Sequence, residues 1–97
     1  MRFEWDDSKN RLNLSKHDVR FETPVLVFED PFAISRPDHT VEDEEDRWIT
    51  VGAIAPGSIL LVVHTLEEEN GEELVRIISA RAAEFQERQA YAQTYKK

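Results

Sequence analysis

The spacing of apolar and polar residues divides the first third of the chain into short elements. Residues 2–5 alternate in polarity, which predicts a first strand. Residues 8–17 carry few apolar positions but follow an Asp-Asp pair whose side chains can cap a helix, so we expect a largely polar helix there. Pro24 fits the first turn of a second short helix, which should end before Pro31.

The rest of the chain has the pattern of a sheet followed by a helix. Pro56-Gly57 has the chemistry of a type II turn, and Asn70-Gly71 is a strong hairpin signal. The predicted elements are an edge strand, a polar loop, three strands and a helix, at residues 32–35, 36–46, 47–54, 59–66, 73–81 and 82–91. We therefore predict an α+β fold: an antiparallel meander sheet with two N-terminal helices and a C-terminal helix.

The two tight turns allow the strand pairing to be predicted. If each dipeptide is the centre of its loop, Ile49 is opposite His64 and His64 is opposite Ile77. Because side chains alternate between the faces of a sheet, this register gathers polar residues into two clusters. The first expected cluster is His64, Ser79 and Arg81, and the second is Trp48, Thr65 and Arg76.

Composition limits the class of protein. The 97 residues suit a single domain spanning 1–97. There is no cysteine, which removes disulfides and thiolate metal sites. No apolar run is long enough to span a membrane, and no apolar region of a secretory signal is present, so we expect a cytoplasmic protein with no membrane partner.

The net charge of −8 argues at first against a nucleic-acid partner. Half of the 20 acidic residues, however, lie in two runs, at 42–46 and 67–73. The remaining ten are outnumbered by 12 lysines and arginines, so a locally basic face is compatible with the total. The acidic runs can serve solubility alone or can meet a basic partner protein.

The strand at residues 76–81 carries an arginine at each end, Arg76 and Arg81. Arginine is seldom buried unless it is paired, and its planar fork binds phosphate through two parallel hydrogen bonds. RNA supplies its own nucleophile, the 2′-hydroxyl, so a ribonuclease built on these arginines needs no metal. The structural alternative is that both arginines form salt bridges with glutamates.

Several side chains are candidates for the proton transfers of such a reaction, and the pattern alone does not choose among them. Lys16 and His17 have a structural alternative, because cations at the end of a helix also suit its dipole. The candidates are His64, His17, Lys9, Lys16, Glu87 and Tyr91.

Motifs spread over nearly the whole chain resemble the BrnT family, the ribonuclease toxins of type II toxin–antitoxin modules. The most specific is the run Arg-Ile-Ile-Ser-Ala-Arg at 76–81. The others are Phe3-Glu4-Trp5-Asp6, Lys9, Asn13-x-x-Lys16-His17, Val19-x-Phe21-Glu22, Val27-Phe28-x-Asp30-Pro31, Arg47-Trp48, Gly52, Val63-His64-Thr65 and Glu87-Arg88-x-x-Tyr91.

The resemblance implies a RelE-like fold, metal-independent RNA cleavage without a cofactor, and neutralisation by a BrnA-type antitoxin. It implies contact with DNA only through that antitoxin, and a dimer or a heterotetramer with it. The implied catalytic residues are Arg76, Arg81, His64, Glu87 and Tyr91, and the implied RNA-binding residues are Lys9, Lys16, His17, Arg47 and Arg88.

Two alternatives belong to other classes. The acidity of the chain, with Ala82 where the family usually has a basic residue, favours a catalytically weak module that binds an antitoxin and acts in operon repression. A metal hydrolase is disfavoured, because His17, His39 and His64 have no ligand spacing.

Overall fold

The computed structural model describes residues 1–39 and 46–96. Its centre is a five-stranded sheet with the order β1-β5-β4-β3-β2. The strands are β1 (Arg2–Glu4), β2 (Ile34–Pro37), β3 (Arg47–Ala55), β4 (Ser58–Glu69) and β5 (Glu72–Ala82). The helices are α1 (Asp7–His17) and α2 (Phe85–Ala92), with 3₁₀ segments at Pro24–Glu29 and Gln93–Lys96.

The predicted α+β class and the meander of β2 to β5 are confirmed, with two corrections. The sheet is mixed, because β1 pairs in parallel with β5. The second N-terminal helix is a 3₁₀ segment, since Thr23 makes no side-chain cap and only six residues separate it from Asp30. The predicted edge strand is shifted and runs to Pro37. Residues 40–45, which hold most of the first acidic run, lie outside the described residues.

Both predicted turns are present. Gly57 has φ of 75°, and Asn70 and Gly71 have φ of 55° and 79°. Two successive residues with positive φ are typical of a type I′ hairpin turn, whose twist matches that of the flanking strands. The β4–β5 register follows from it, and His64 lies opposite Ile77 as predicted.

The predicted β3–β4 register is wrong by one residue. Trp48, rather than Ile49, pairs with His64, because an irregularity near the turn between Ala53 and Ala55 leaves Ile54 as an extra residue. His64 also lies on the opposite face of the sheet from Arg81, because Ile78 is an extra residue in β5 between the partners of His64 and Val63, so the first expected cluster does not form. In the second, Thr65 and Arg76 are paired, but Trp48 projects from the other face.

The sheet has two apolar faces. We call inner the face that packs against residues 19–28, with Phe21 and Val27 fully buried against Val62 and Val75. The outer face carries Ile49, Val51 and Leu61, and Tyr91 of α2 packs on it. Each fully buried side chain of this size contributes about 1.5–3 kcal/mol.

Helix α1 begins and ends as the sequence predicts. The Asp6 carboxylate accepts a hydrogen bond from the Lys9 N–H at 3.1 Å, and Asp18 adopts the left-handed conformation at the C-terminal end. Two asparagines, rather than an apolar stripe, attach this helix to the segment that follows it. The Phe21 N–H donates to Asn10 at 2.8 Å, and the Asn13 amide donates to the Val19 carbonyl at 2.9 Å.

None of the helices within 1–39 and 46–96 has the length and apolar character that crossing a bilayer requires.

Candidate functional site

An open cleft lies between α1 and the edge of β5 that β1 covers only in part. Strand β1 pairs only with residues 74–76, so the rest of this edge of β5 faces α1. The cleft has a volume of about 220 Å³. Its lining residues, which define the α1–β5 cleft below, are Lys9, Leu12, Asn13, Lys16, His17, Ile78 and Ser79.

The α1–β5 cleft brings together three of the predicted RNA-binding residues. Lys9, Lys16 and His17 are all exposed at its mouth. None of the three forms a salt bridge with a carboxylate of the described residues. The Asp6 carboxylate at the start of the helix does attract the charge of Lys9. Three basic side chains at one opening concentrate positive charge there, which attracts anions.

Asn13 fixes the width of the cleft. Its amide N–H₂ donates to the Ala80 carbonyl at 2.8 Å, and its carbonyl oxygen accepts from the Ala80 N–H at 3.1 Å. Asn13 is 4% exposed, so these bonds are shielded from water. A polar helix face was predicted from the sequence, but binding of one asparagine to the edge of a strand was not.

Arg81, near the end of β5, and Glu87, in the first turn of α2, form a bidentate ion pair. Nη1 and Nη2 of Arg81 donate to the two carboxylate oxygens of Glu87, each at 2.8 Å. Nη1 also donates to the Ala82 carbonyl at 3.1 Å. Glu87 additionally accepts from the Glu84 N–H at 2.7 Å, in a capping box that begins α2.

This pairing shifts both groups towards their charged forms. The hydrogen bonds to Arg81 hold the pKa of Glu87 below its ordinary value, against burial, with help from the Glu84 N–H and a smaller contribution from the charge of Arg36. The hydrogen bonds to Glu87 raise the pKa of Arg81, again against burial. The site therefore keeps a fixed guanidinium and a fixed carboxylate together.

The other predicted arginines also have partners. Nη1 of Arg76 donates to Glu4 at 2.8 Å across β1 and β5, and both side chains are nearly half exposed. Nε of Arg47 lies 3.2 Å from the buried carboxylate of Asp38. Arg76 and Arg81 therefore both form salt bridges with glutamates, which was the structural alternative predicted for them.

Arg88, predicted to bind RNA, lies elsewhere. Its side chain is exposed and reaches the Gly57 carbonyl in the β3–β4 turn at 3.4 Å, which is a weak contact. It lines a separate groove between α2 and that turn, with the exposed ring of Phe85. The structure does not bring Arg88 to the α1–β5 cleft.

His64 is part of the core. It is 3% exposed, its ring packs edge-on against Phe28, and burial lowers its pKa. Nδ1 must be the protonated nitrogen, because its partner at 2.9 Å is the Thr65 carbonyl, which can only accept. Nε2 then accepts from the Thr50 hydroxyl at 2.7 Å, and Thr50 accepts from Ser35 at 2.7 Å.

Tyr91 is also internal. Its side chain is 1% exposed and its hydroxyl donates to the Asp30 carboxylate at 2.5 Å. Asp30 also accepts from the N–H groups of Phe32 and Ala53. Burial raises the pKa of Asp30, but these three hydrogen bonds outweigh it and leave the pKa below its ordinary value. Asp30 therefore ties α2 to the 3₁₀ segment and β3.

No group of three His, Asp or Glu side chains within the described ranges gathers in metal-binding geometry. Of the predicted catalytic residues, the structure brings Arg81 and Glu87 together and places Arg76 further along the same strand. It places His64 and Tyr91 in the interior. Asn13, as an organiser of the cleft, and Asp30, as the partner of Tyr91, were not predicted.

Comparisons with known proteins agree with the resemblance. A family model described as "Ribonuclease toxin, BrnT, of type II toxin-antitoxin system" matches residues 5–87. Among solved structures, the Brucella abortus ribonuclease toxin BrnT superposes with a TM-score of 0.66 at 27% identity, covering 87% of this chain and 97% of that one. None of the curated proteins compared with the chain matches it. The chain therefore belongs to the BrnT family of ribonuclease toxins of type II toxin–antitoxin systems.

Proposed function

We propose that this chain cleaves RNA without a resident metal ion, at the junction of the α1–β5 cleft and the Arg81–Glu87 pair. One observation carries the proposal. Ser79, which lines the cleft, and Arg81 are two residues apart on β5 and belong to the same face. They are therefore roughly 7 Å apart along the strand. An RNA chain bound by the cations of α1 has a fixed guanidinium within reach.

The chemistry uses the RNA's own nucleophile. The 2′-hydroxyl loses its proton and attacks the adjacent phosphorus, and the bond to the 5′-oxygen of the next nucleotide breaks. That oxygen takes up a proton, which leaves a 2′,3′-cyclic phosphate and a 5′-hydroxyl. Negative charge builds up on the non-bridging oxygens, and a positioned guanidinium stabilises it.

Arg81 suits this role although it is paired. A guanidinium has five N–H donors, and Arg81 uses three of them towards Glu87 and Ala82, which leaves two. Its side chain is 31% exposed, and we assign these two donors to the phosphate. Because its pKa is lowered, Glu87 is a weak base, and we assign it the orientation of Arg81.

The remaining predicted residues take different parts. We propose that Tyr91 and His64 act as positioning residues, since both are buried. Tyr91 holds α2, and so Glu87, in place through Asp30. Exposed Arg76 extends the basic surface beyond the cleft. Lys9, Lys16 and His17 hold the RNA chain, with Arg47 and Arg88 further out.

The family implies an antitoxin partner. We propose that it is a BrnA-type protein which neutralises the toxin, carries all contact with DNA, and forms a dimer or a heterotetramer with the toxin. We also propose that the sheet and helices have a RelE-like arrangement. We place the protein in the cytoplasm, where RNA is available.

The test is cleavage of a defined RNA by the purified protein in the presence of a chelator. We expect fragments that end in 2′,3′-cyclic phosphate and 5′-hydroxyl groups, no cleavage where the 2′-hydroxyl is replaced, and inhibition by the protein encoded next to the toxin. Cleavage only after a divalent metal is added would contradict metal independence.

A second candidate function is supported by the ion pairs themselves. Both Arg76 and Arg81 are bound to glutamates, and the net charge is −8. A catalytically weak module acting mainly in antitoxin binding and operon repression has these properties. Absence of cleavage at low salt, where phosphate contacts are strongest, together with a stable antitoxin complex, would favour it.

A further inference from the structure

The α1–β5 cleft is more than a patch of positive charge, because two apolar side chains line it together with the basic groups. Leu12 is 53% exposed, on a helix with few apolar residues and no apolar stripe. Ile78, from the facing strand, lines the same cleft and is half-buried. The cleft therefore combines apolar surface from two elements with its cations.

A β-bulge places Ile78 there. Along β4, Val63 pairs with Ser79 and the next residue, His64, pairs with Ile77. Ile78 is thus an extra residue in β5, outside the regular pairing with β4. Bulges redirect a side chain and are frequent beside functional sites. Here the redirected side chain lines the cleft together with Leu12 of α1.

The size and chemistry of the cleft select one kind of occupant. Pockets for drug-sized ligands occupy about 300–1,000 Å³, and this cleft is smaller, at about 220 Å³. It offers two apolar walls, the Ser79 hydroxyl, and Lys9 and Lys16 at the mouth. A flat base fits between apolar side chains, while the attached phosphate meets the cations.

We propose that the α1–β5 cleft binds one unpaired nucleotide of the RNA, with its base between Leu12 and Ile78 and its phosphate at Lys9 and Lys16. This rests on the proposed function and specifies its substrate as single-stranded RNA. In an A-form duplex the bases are stacked and paired, so none can enter a cleft between a helix and a strand.

The test measures binding to an RNA that cannot be cleaved, so that it does not depend on catalysis. A short 2′-O-methyl oligonucleotide lacks the nucleophile, and fluorescence anisotropy reports its affinity alone or annealed to its complement. We expect the single strand to bind about tenfold more tightly than the duplex or better.

The variants separate the two parts of the site. Leu12→Ala should weaken single-strand binding by about three- to tenfold through loss of the base contact. Lys16→Ala should weaken it and lower the slope of log affinity against log salt by about 0.7. Leu26→Ala, which alters a similarly exposed leucine of the 3₁₀ segment, and Arg11→Ala, which removes another cation of α1, are the matched controls.

Leu12 is mostly exposed, so its replacement should leave the fold intact, which circular dichroism checks. Equal binding of duplex and single strand would overturn the proposal, as would an equal effect of Leu12→Ala and Leu26→Ala. A protein that binds the oligonucleotide as expected but cleaves no RNA would keep this site and reject the nuclease function.

Discussion

Asn13 pairs with Ala80 through both its amide nitrogen and its amide oxygen, as a residue of a neighbouring strand would. One side chain thereby satisfies the open edge of β5, where β1 no longer covers it. The same contact sets the distance between α1 and the strand that carries Ser79 and Arg81. The α1–β5 cleft owes its shape to a single buried amide.

Replacing Asn13 should therefore cost much of the stability of the domain. Asn13→Ala removes three hydrogen bonds and leaves both polar groups of Ala80 without a protein partner, for a loss of about 2–4 kcal/mol. Urea unfolding measures it, with the exposed Ser15→Ala as the control within the same helix. A loss no greater than that of the control would contradict the role given to Asn13.

Local signals in the sequence account for most of the fold. The Asp6 cap, the left-handed Asp18 and the two hairpin turns each depend on residues close together in the chain, and each is found in the structure. The bulges at Ile54 and Ile78 were missed, because a bulge depends on how a strand meets its neighbours.

The hydrogen bond from Tyr91 to Asp30 predicts a stability effect that depends on pH. Tyr91→Phe should lower the free energy of unfolding by about 1–2 kcal/mol near neutral pH. The pKa of Asp30 is below its ordinary value of 3.8 when folded, so this stabilisation is complete above that pH and is lost as pH falls through the lowered value. The difference between wild type and variant should therefore shrink in acid.

A double-mutant cycle with Asp30→Asn, followed by urea unfolding, checks this account. We expect a coupling energy between the two positions at neutral pH and little coupling well below the ordinary pKa of Asp30. Purely additive effects at neutral pH would show that the two side chains do not interact.

The buried His64 predicts a second pH effect, in a higher range. Its pKa is lowered by burial when folded and is about 6.5 when unfolded, so the unfolded chain binds more protons below that value. The stability that neutral His64 contributes should be fully present above about pH 6.5. It should be lost as pH falls from there through the lowered pKa of the folded state.

His64→Gln removes this titrating group, and its amide can still accept and donate hydrogen bonds. We expect the variant to lose the decrease in stability between about pH 7.5 and pH 5, and His17→Gln, at an exposed position, to keep it. Urea midpoints at several pH values measure both. A wild-type midpoint that is constant across this range would contradict the buried neutral state of His64.

The candidate site was predicted in outline, through residue types rather than contacts. Arg81, Glu87 and the cations of α1 were named from the sequence; the structure pairs Arg81 with Glu87 and gathers Lys9, Lys16 and His17 at the α1–β5 cleft. His64 was placed on the same face as Arg81, which is wrong, because the extra residue Ile78 in β5 reverses the alternation of side chains between the two positions. The ion pairs of Arg76 and Arg81 join residues whose packing the sequence does not reveal.

Single-turnover cleavage of RNA by Arg81→Ala tests the central claim most directly. Removing a guanidinium that stabilises charge on the phosphate should lower the rate constant by about 10²- to 10³-fold, and Arg81→Lys should restore little because it lacks the planar fork. Arg2→Ala, which removes an ion-paired arginine from β1, should cleave at the wild-type rate. Cleavage by folded Arg81→Ala at the wild-type rate would contradict the account.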